Sequence, residues 1–434
     1  MSLYLTEKIQ IHPSQKAIEH LWSVSYVCKN VWNCLNSDKI ANRTGYYIQK
    51  KLLPGMKAAD PGLCLPSSQV LQEVVKELHG GWKSFFELRK KGDQDAHPPG
   101  FRSYKRFYTQ KYPQNGTSFE IVGNMLRLSY GSSKRDWIEI PLPETKADPA
   151  LYKSVTVFFD DVSKNWYVSF AREVSIPPAF QGQTEIWFDP GCRTALTGIR
   201  SDVTFWEYDL NPLRQLNMKH YKIIDNLKSE RDTKKKGSNL YRRHNAKIKR
   251  MYRKINTQTR HYLHVLANQI LKDHPDVATF SIGDWDKRQT LADTGFTFVD
   301  KKINRQVQNN NPLQKLIGYL SYKARILGKQ VKKFDERGTT RTCSHDDFVI
   351  KEGVSPDKRV FACPQCGFTI ERDINSTLNF FKRFHYAVWH RLIGKVIPIS
   401  IARKGLNPRT GKHLPVLQRT LILNYQDACG LLTA

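Results

Sequence analysis

The sequence lacks any apolar run approaching the roughly 18 residues of a membrane-spanning helix. Its start, MSLYLTEKIQIHP, also lacks a basic segment followed by an apolar one. These absences exclude a helical membrane protein and predict a soluble chain that is not secreted by a leader of that kind. Cysteine is sparse, and five of the eight, Cys28, Cys34, Cys64, Cys192 and Cys429, are scattered among apolar or small residues. That scatter excludes a disulfide framework and predicts reduced thiols in an intracellular protein. Acidic residues are short as well: 40 Asp and Glu stand against 69 Lys and Arg, a formal charge of +29. An excess of this size goes beyond what solubility needs and suits a polyanion. Because the basic residues run along the whole chain, interleaved with 19 Tyr, 9 Trp and 21 Phe, nucleic acid is favoured over an acidic membrane surface. The 434 residues leave room for several domains and a substantial core, which excludes disorder as a starting point.

What is present divides by periodicity. Residues 1–12 hold a short strand, LYLTEKIQI, and residues 13–100 read as helical. One stripe carries Ile18, Leu21, Trp22, Val31, Trp32 and Leu35; a second, from Ser67 or Ser68, carries Val70, Leu71, Val74, Leu78, Trp82, Phe85 and Phe86. Burial accounts for aromatics at this spacing, while Arg89, Lys90 and Lys91 at the end are free to meet phosphates. Residues 101–175 change to short alternating runs, SFEIV, MLRLSY, WIEIPL, SVTVFF and NWYVSF, the pattern of an antiparallel β module and of a small barrel. Since one strand precedes the helices, the helical segment reads as an insertion into that barrel.

Residues 176–184 read as a linker. From residue 185, TEIWFDPGCRTALTGI gives a strand ending at Asp189, a turn and a second strand, the hairpin that opens an RNase H-like α/β sheet. Leu213 to Leu271 reads as a helical hairpin broken at TKKKGSN. Its basic residues Lys234, Lys235, Lys236, Arg242, Arg243, Lys247, Lys249 and Arg250 are either a solvated face or phosphate contacts, and their density favours the second. DVATFSI is a short buried strand followed by Gly283 and Asp284; a helix spans Leu313 to Leu327, and a strand from Lys329 to Phe334 delivers Asp335 and Glu336.

The densest chemistry lies between Lys332 and Phe381. Cys363-Pro-Gln-Cys366-Gly places two thiolates at the spacing that grips one tetrahedral ion, with a glycine to turn the backbone under it. The other half, Cys343-Ser-His345-Asp346, offers one cysteine with His345 or Asp346 as the fourth ligand. A structural zinc on Cys343, His345, Cys363 and Cys366 is the expected site, and a lost site the alternative. Asp373 opens an apolar-periodic helix, where an acid also serves as a plain capping residue.

Taken in order, IHPSQKAIEHLW, PPGFRSYKR, FDPG, the lysine-rich hairpin, GYLSYKARILGKQV, TTRTCS, CPQCG and RDINSTLN resemble the TnpB family of transposon-encoded RNA-guided nucleases. That family is related to miniature type V CRISPR effectors and to the eukaryotic Fanzor proteins. The resemblance implies a multidomain α+β and α/β protein. Residues 1–12 and 101–175 would form a wedge β-barrel, residues 13–100 an inserted helical recognition domain, and residues 185–340 and 372–434 an RNase H-like RuvC nuclease domain with its C-terminal tail. Residues 341–371 would be an inserted zinc knuckle that binds target nucleic acid. RuvC carboxylates hold two Mg²⁺ ions about 4 Å apart. Asp189 matches the first family acid and Asp373 the third.

The second acid is where the sequence departs. Most members carry a Glu at the end of the strand read as DVATFSI, where this chain has Gly283. Fanzor proteins and a subset of TnpB proteins carry it instead on the neighbouring strand, where this chain has Glu336, and strands about 4.8 Å apart allow a Glu to span that offset. The implied catalytic set is therefore Asp189, Glu336 and Asp373, with Asp284 as the fallback. The implied partners are a guide RNA and double-stranded DNA bearing a short adjacent motif. Two rivals are an RNA-guided DNA-binding protein that does not cut and a DNA-joining transposase, though no recombinase Tyr or Ser motif stands out. The chain is expected inside the cell, in a nucleus if eukaryotic and in the cytoplasm or nucleoid if prokaryotic. Whether it is a monomer or a homodimer is not legible.

Overall fold

Two periodicities, alternate burial in strands and a repeat of 3.6 in helices, sort the chain into two units, residues 1–175 and 176–434. The computed structural model describes residues 3–131, 136–145, 147–191, 194–284, 312–354, 358–385 and 396–424. Cys192, Cys429 and the C-terminal tail from residue 425 therefore lie outside the described residues.

In the first unit, β1 (Leu3–Ile11) turns Ile9 and Ile11 inward and pairs along its whole length with β7 (Asn165–Val174), from Leu3 opposite Val174 to Ile11 opposite Trp166. With β2 (Gln110–Tyr112) and β6 (Tyr152–Asp160) they make a four-stranded sheet of order β1-β7-β6-β2; β3 (Phe119–Val122), β4 (Met125–Ser129) and β5 (Trp137–Pro141) form a separate meander. The strands thus make two antiparallel sheets over one core.

Between β1 and β2 lie three α-helices. Helix α1 (Gln15–Asn42) starts where Ser14 Oγ accepts the Ala17 N–H at 3.2 Å, and it buries Leu21, Val24, Cys28, Val31, Trp32 and Leu35. Helix α3 (Ser68–Lys90) buries Val70, Leu71, Val74, Val75 and Leu78. Between them, α2 (Tyr46–Ala59) was not foreseen: it contains Pro54 and buries only Gln49 and Leu53, so no apolar stripe betrays it.

The second unit is built on a seven-stranded sheet of order β12-β11-β8-β9-β10-β15-β16. β8 (Thr184–Pro190), β9 (Thr194–Arg200) and β10 (Phe205–Asp209) form an antiparallel run, and β11 (Val277–Gly283) and β12 (Gln330–Phe334) add parallel strands beside β8. The expected hairpin has a third strand, β10. On its far side β15 (Val396–Lys404) pairs parallel to β10 and antiparallel to β16 (Leu417–Asn424), two strands within the stretch that the sequence reading left as the last part of the domain and its tail. Helices α4 (Asn211–Asp232), α5 (Asn239–Asp273) and α6 (Leu313–Ile326) follow; α5 and α6 cover the sheet with Leu263, Leu266, Ile270, Leu316 and Leu320. The segment expected as a linker is docked here, its Phe180 N–H donating to the Gly328 carbonyl at 2.9 Å.

The turn from α5 into β11 is held by a buried polar network. Arg200 can only donate, so Nδ1 of His274 accepts from it at 3.5 Å; the protonated Nε2 then donates to the Tyr208 hydroxyl at 3.0 Å, which in turn donates to Asp273 at 2.9 Å. Burial first, and the Arg200 charge second, push the His274 imidazolium down to about 4 from the ordinary 6.5. A depressed histidine stabilises the fold above its unfolded pKa, and that contribution is lost as pH falls from about 6.5 to about 4. The unfolding free energy from urea titrations should therefore fall further in wild type than in His274→Asn across this window, by up to about 3 kcal/mol, and run parallel above pH 7.

Candidate active site and cysteine knuckle

The three parallel strands end together. Register places Ile282 opposite Phe188 and Gly283 opposite Phe334, so Asp189, Gly283 and the residues after Phe334 emerge at one carboxyl edge of the sheet, where open α/β sheets place ligands. Asp189 comes from β8. Glu336 comes two residues after β12 and swings back over β11: a Cβ built on Gly283 would land on its Oε2 atom and 2.9 Å from Cδ of Pro190. Asp373 comes from the first turn of α7 (Arg372–Phe384), which packs on β8 and β9 and buries Ile374, Leu378, Phe380 and Phe381.

The electrostatics mark this as a carboxylate cluster. Burial, then the charges of Glu336 and Asp373, hold Asp189 well above the ordinary carboxylate range, and the Ser376 hydroxyl partly offsets this with a hydrogen bond. Burial, then Asp284 and Asp335, push Glu336 up to about 7. Its Oε2 is buried without a hydrogen-bond partner. Hard oxygen donors that repel one another around a buried lone pair fit a divalent cation such as Mg²⁺. On the outer side Asp373 meets two guanidiniums, Arg372 at 3.5 Å and Arg359 at 3.7 Å. Asp284 stands next to Gly283, but its exposed carboxylate pairs with Lys333 at 2.8 Å and its N–H donates to the Phe334 carbonyl.

Sequence reasoning missed the groups that hold this cluster in place. Thr339, Asn375, Ser376 and Asn379 are all buried. The Thr339 hydroxyl donates to the Glu336 carbonyl at 2.8 Å and meets Ser376 Oγ at 2.9 Å. Asn379 Nδ2 donates to the carbonyls of Thr339 and Thr342, and Asn375 Nδ2 to that of Thr342. Polar residues sat at core positions of an amphipathic helix, INSTLN, and that mismatch was the available signal.

The same loop leads into the knuckle, whose two halves repeat one geometry. Cys343 N–H donates to the Phe348 carbonyl and Cys363 N–H to that of Phe368, both at 2.8 Å. Asp347 N–H returns to Cys343 and Gly367 N–H to Cys363, with φ of 63° and 74°. Superposed in this way, the partner of Cys366 is Asp346, three residues after Cys343. Ligand atoms of Cys343, Asp346, Cys363 and Cys366 all lie within 4.8 Å of one another. This corrects the expectation of His345, which sits one position too early and stacks its ring on Phe368 at 5.5 Å. Burial raises the Cys343 and Cys366 thiols, a cost that a bound cation removes by taking thiolates directly. The three thiols and one carboxylate fit a tetrahedral zinc.

Two family models match this unit: "Probable transposase" over residues 191–285 and "Cas12f1-like, TNB domain" over residues 314–380, the second spanning α6, Glu336 and the knuckle. InsQ of Escherichia coli (strain K12), named as a candidate RNA-guided DNA endonuclease, is 24% identical over 324 residues, covering 73% of this chain and 75% of its own length. The TnpB-like protein ORF457 of Acidianus two-tailed virus is 24% identical over 344 residues, 72% of each chain. These matches make the chain similar to the TnpB family, as its motifs had implied. Its fold is also that of a solved Cas12f1 complex with single-guide RNA and target DNA, with a TM-score of 0.58 at 11% identity over 87% of this chain and 98% of the other. Like the protein of that complex, this chain is a multidomain α+β protein.

The eight basic residues singled out, Lys234, Lys235 and Lys236 between α4 and α5 and Arg242, Arg243, Lys247, Lys249 and Arg250 in the first half of α5, are all exposed, and none makes an ion pair among the described residues. They lie on a hairpin whose own small core is Ile224, Ile248 and Ile255.

The ligand set predicts the behaviour of the knuckle. Asp346→Cys should strengthen zinc retention against a chromogenic chelator by roughly tenfold or more, because thiolate is the softer donor. Asp346→Ala should weaken it, and His345→Ala should leave the one-to-one stoichiometry intact.

Proposed function

We propose that this chain is a transposon-encoded, RNA-guided endonuclease of the TnpB family that cuts double-stranded DNA next to a short adjacent motif, with Asp189, Glu336 and Asp373 as its metal-binding carboxylates. The observation that carries the reading is the shared space at position 283. The carboxylate of Glu336 fills the volume into which a side chain from β11 would project. An acid from the neighbouring strand end thus reaches over the end of β11, which supports relocation over a dead site as the reading of Gly283.

The three acids would hold two Mg²⁺ ions, which when bound supply an activated water and stabilise the leaving oxygen of the phosphodiester. The residues of the chain do the rest. Burial of Asp189 and Glu336 keeps their carboxylates poorly hydrated, which strengthens their hold on a cation. Ser376 orients Asp189, and Thr339 fixes the backbone from which Glu336 projects. In this reading residues 1–12 and 101–175 form the wedge module, residues 13–100 the recognition helices, and the knuckle a target-binding insertion held by one structural zinc. The basic hairpin and the +29 charge serve the RNA and the DNA. The names of the 24%-identical relatives support this assignment.

The test is cleavage of motif-bearing duplex by the protein purified with its RNA, in Mg²⁺. Glu336→Ala should lose about 100-fold or more in rate while still binding DNA. Gly283→Glu alone should also lose activity by collision, and the double variant Gly283→Glu/Glu336→Gly should recover part of it. Normal cutting by Glu336→Ala would sink the assignment and turn attention to Asp284→Ala. Wild-type protein that binds its target without cutting would support the non-cutting reading, and the absence of any co-purified RNA would support a plain transposase.

A further inference from the structure

One motif of the sequence, PPGFRSYKR, is not used by the active site or the knuckle. It has no regular secondary structure, yet its backbone is held as firmly as a strand. Four side chains of α1, at spacings that put them on one face, each bond a different part of it, and a fifth bonds the backbone two residues beyond. Asn36 Nδ2 donates to the Pro99 carbonyl at 2.9 Å, and Trp32 Nε1 to that of Gly100 at 3.0 Å. Asn33 donates to the Arg102 carbonyl and accepts the Arg102 N–H, at 3.1 and 2.7 Å. Lys29, only 2% exposed, donates to the carbonyls of Tyr104 and Arg106 at 3.2 and 2.9 Å. Ser25 Oγ accepts the Tyr108 N–H at 2.7 Å. A buried lysine spent on two carbonyls is a costly way to fix a loop that does nothing.

The side chains point the other way. Phe101 through Arg106 are six consecutive exposed residues, with Phe101 62% and Tyr104 49% exposed. Tyr104 is paired with the exposed Tyr26 of α1 at 5.2 Å, and the Arg102 guanidinium lies over the Trp32 ring at 4.1 Å with its other side open to solvent. Arg102, Lys105 and Arg106 make no ion pair among the described residues, and the run contains no acid. A solvated loop needs neither the clamp nor large apolar rings in water. Flat rings and a guanidinium plane beside unpaired cations are the surface that stacks bases and neutralises phosphates at once. Paired bases offer no free faces to such rings, so the fit is to an unpaired strand.

We propose that residues 101–106, displayed by α1, form a preorganised stacking site for an unpaired segment of RNA. This deepens the RNA-guided reading above and rests on it. The commitment to RNA follows from that reading, in which the RNA is the partner that brings unpaired segments to the protein before any DNA is opened.

The full-length protein would be titrated with a fluorescent, unstructured RNA about a dozen nucleotides long, with the same sequence as single-stranded DNA, and with the corresponding RNA duplex, at raised salt to suppress non-specific phosphate binding. Phe101→Ala/Tyr104→Ala, which leaves every backbone clamp in place, should weaken the single-stranded RNA by about 10-fold to 100-fold and change the duplex less than 2-fold. Asn33→Ala, which keeps all the exposed side chains but loosens the loop, should weaken it in the same direction. Photocrosslinking with 4-thiouridine should place adducts on Phe101 or Tyr104 in wild type. Unchanged RNA affinity with no adducts, or an equal loss on the duplex, would overturn the proposal, as would equally tight DNA binding with the same loss. Because the readout is binding, a chain that fails to cut DNA leaves this result standing, whereas a wild type that binds none of the three probes yet carries co-purified RNA would overturn the stacking site and leave the RNA-guided reading intact.

Discussion

The carboxylate edge of the sheet depends on one exclusion: a side chain at position 283 and the carboxylate of Glu336 cannot occupy the same volume. Neighbouring strands in a sheet are about 4.8 Å apart, close enough for a glutamate past the end of one to lie across the end of the next. The glycine at 283 makes this possible, since even a methyl group there would meet Glu336 Oε2. The acid therefore rides on the loop that leads into the knuckle rather than on the buried strand beside Asp189. Its position is set by what holds that loop.

What holds it is the polar face of α7. Asn375, Ser376 and Asn379 sit where an amphipathic helix would ordinarily place leucines, and they bond the carbonyls and hydroxyls of residues 339–342. Unpaired, each would cost about 1–3 kcal/mol in the core; paired, they specify one loop conformation. Asp373 opens the same helix, and Cys343 follows the same loop. Carboxylate, helix and cysteine knuckle thus share one small hydrogen-bonded frame, while Arg359, four residues before Cys363, pairs with Asp373.

Much of this was legible because it is local. The strand ending at Asp189, the helical hairpin and the CPQCG turn each announce themselves within a few residues, by alternation, by a 3.6 repeat or by ligand spacing. The misses share a cause. Helix α2 buries almost nothing, so it leaves no stripe. Strands β15 and β16 acquire meaning only through β10, almost two hundred residues earlier in the chain. His345 was preferred over Asp346 on the chemistry of the side chain, when the repeat of the turn, with the ligand three residues after the first cysteine, was the better guide.

By itself the sequence determined the inventory: a strongly basic chain, acids at strand and helix ends, three cysteines at metal spacing, and motifs sufficient for a family resemblance. Only the tertiary structure decided which of these meet. Whether Gly283 is a loss or a vacancy left for Glu336 depends on strand register, which no local pattern encodes. Whether FRSYKR is a slack loop or a displayed surface depends on five side chains of a helix some seventy residues away. Both answers come from long-range pairing, where a residue's role is set by the neighbour that folding brings to it.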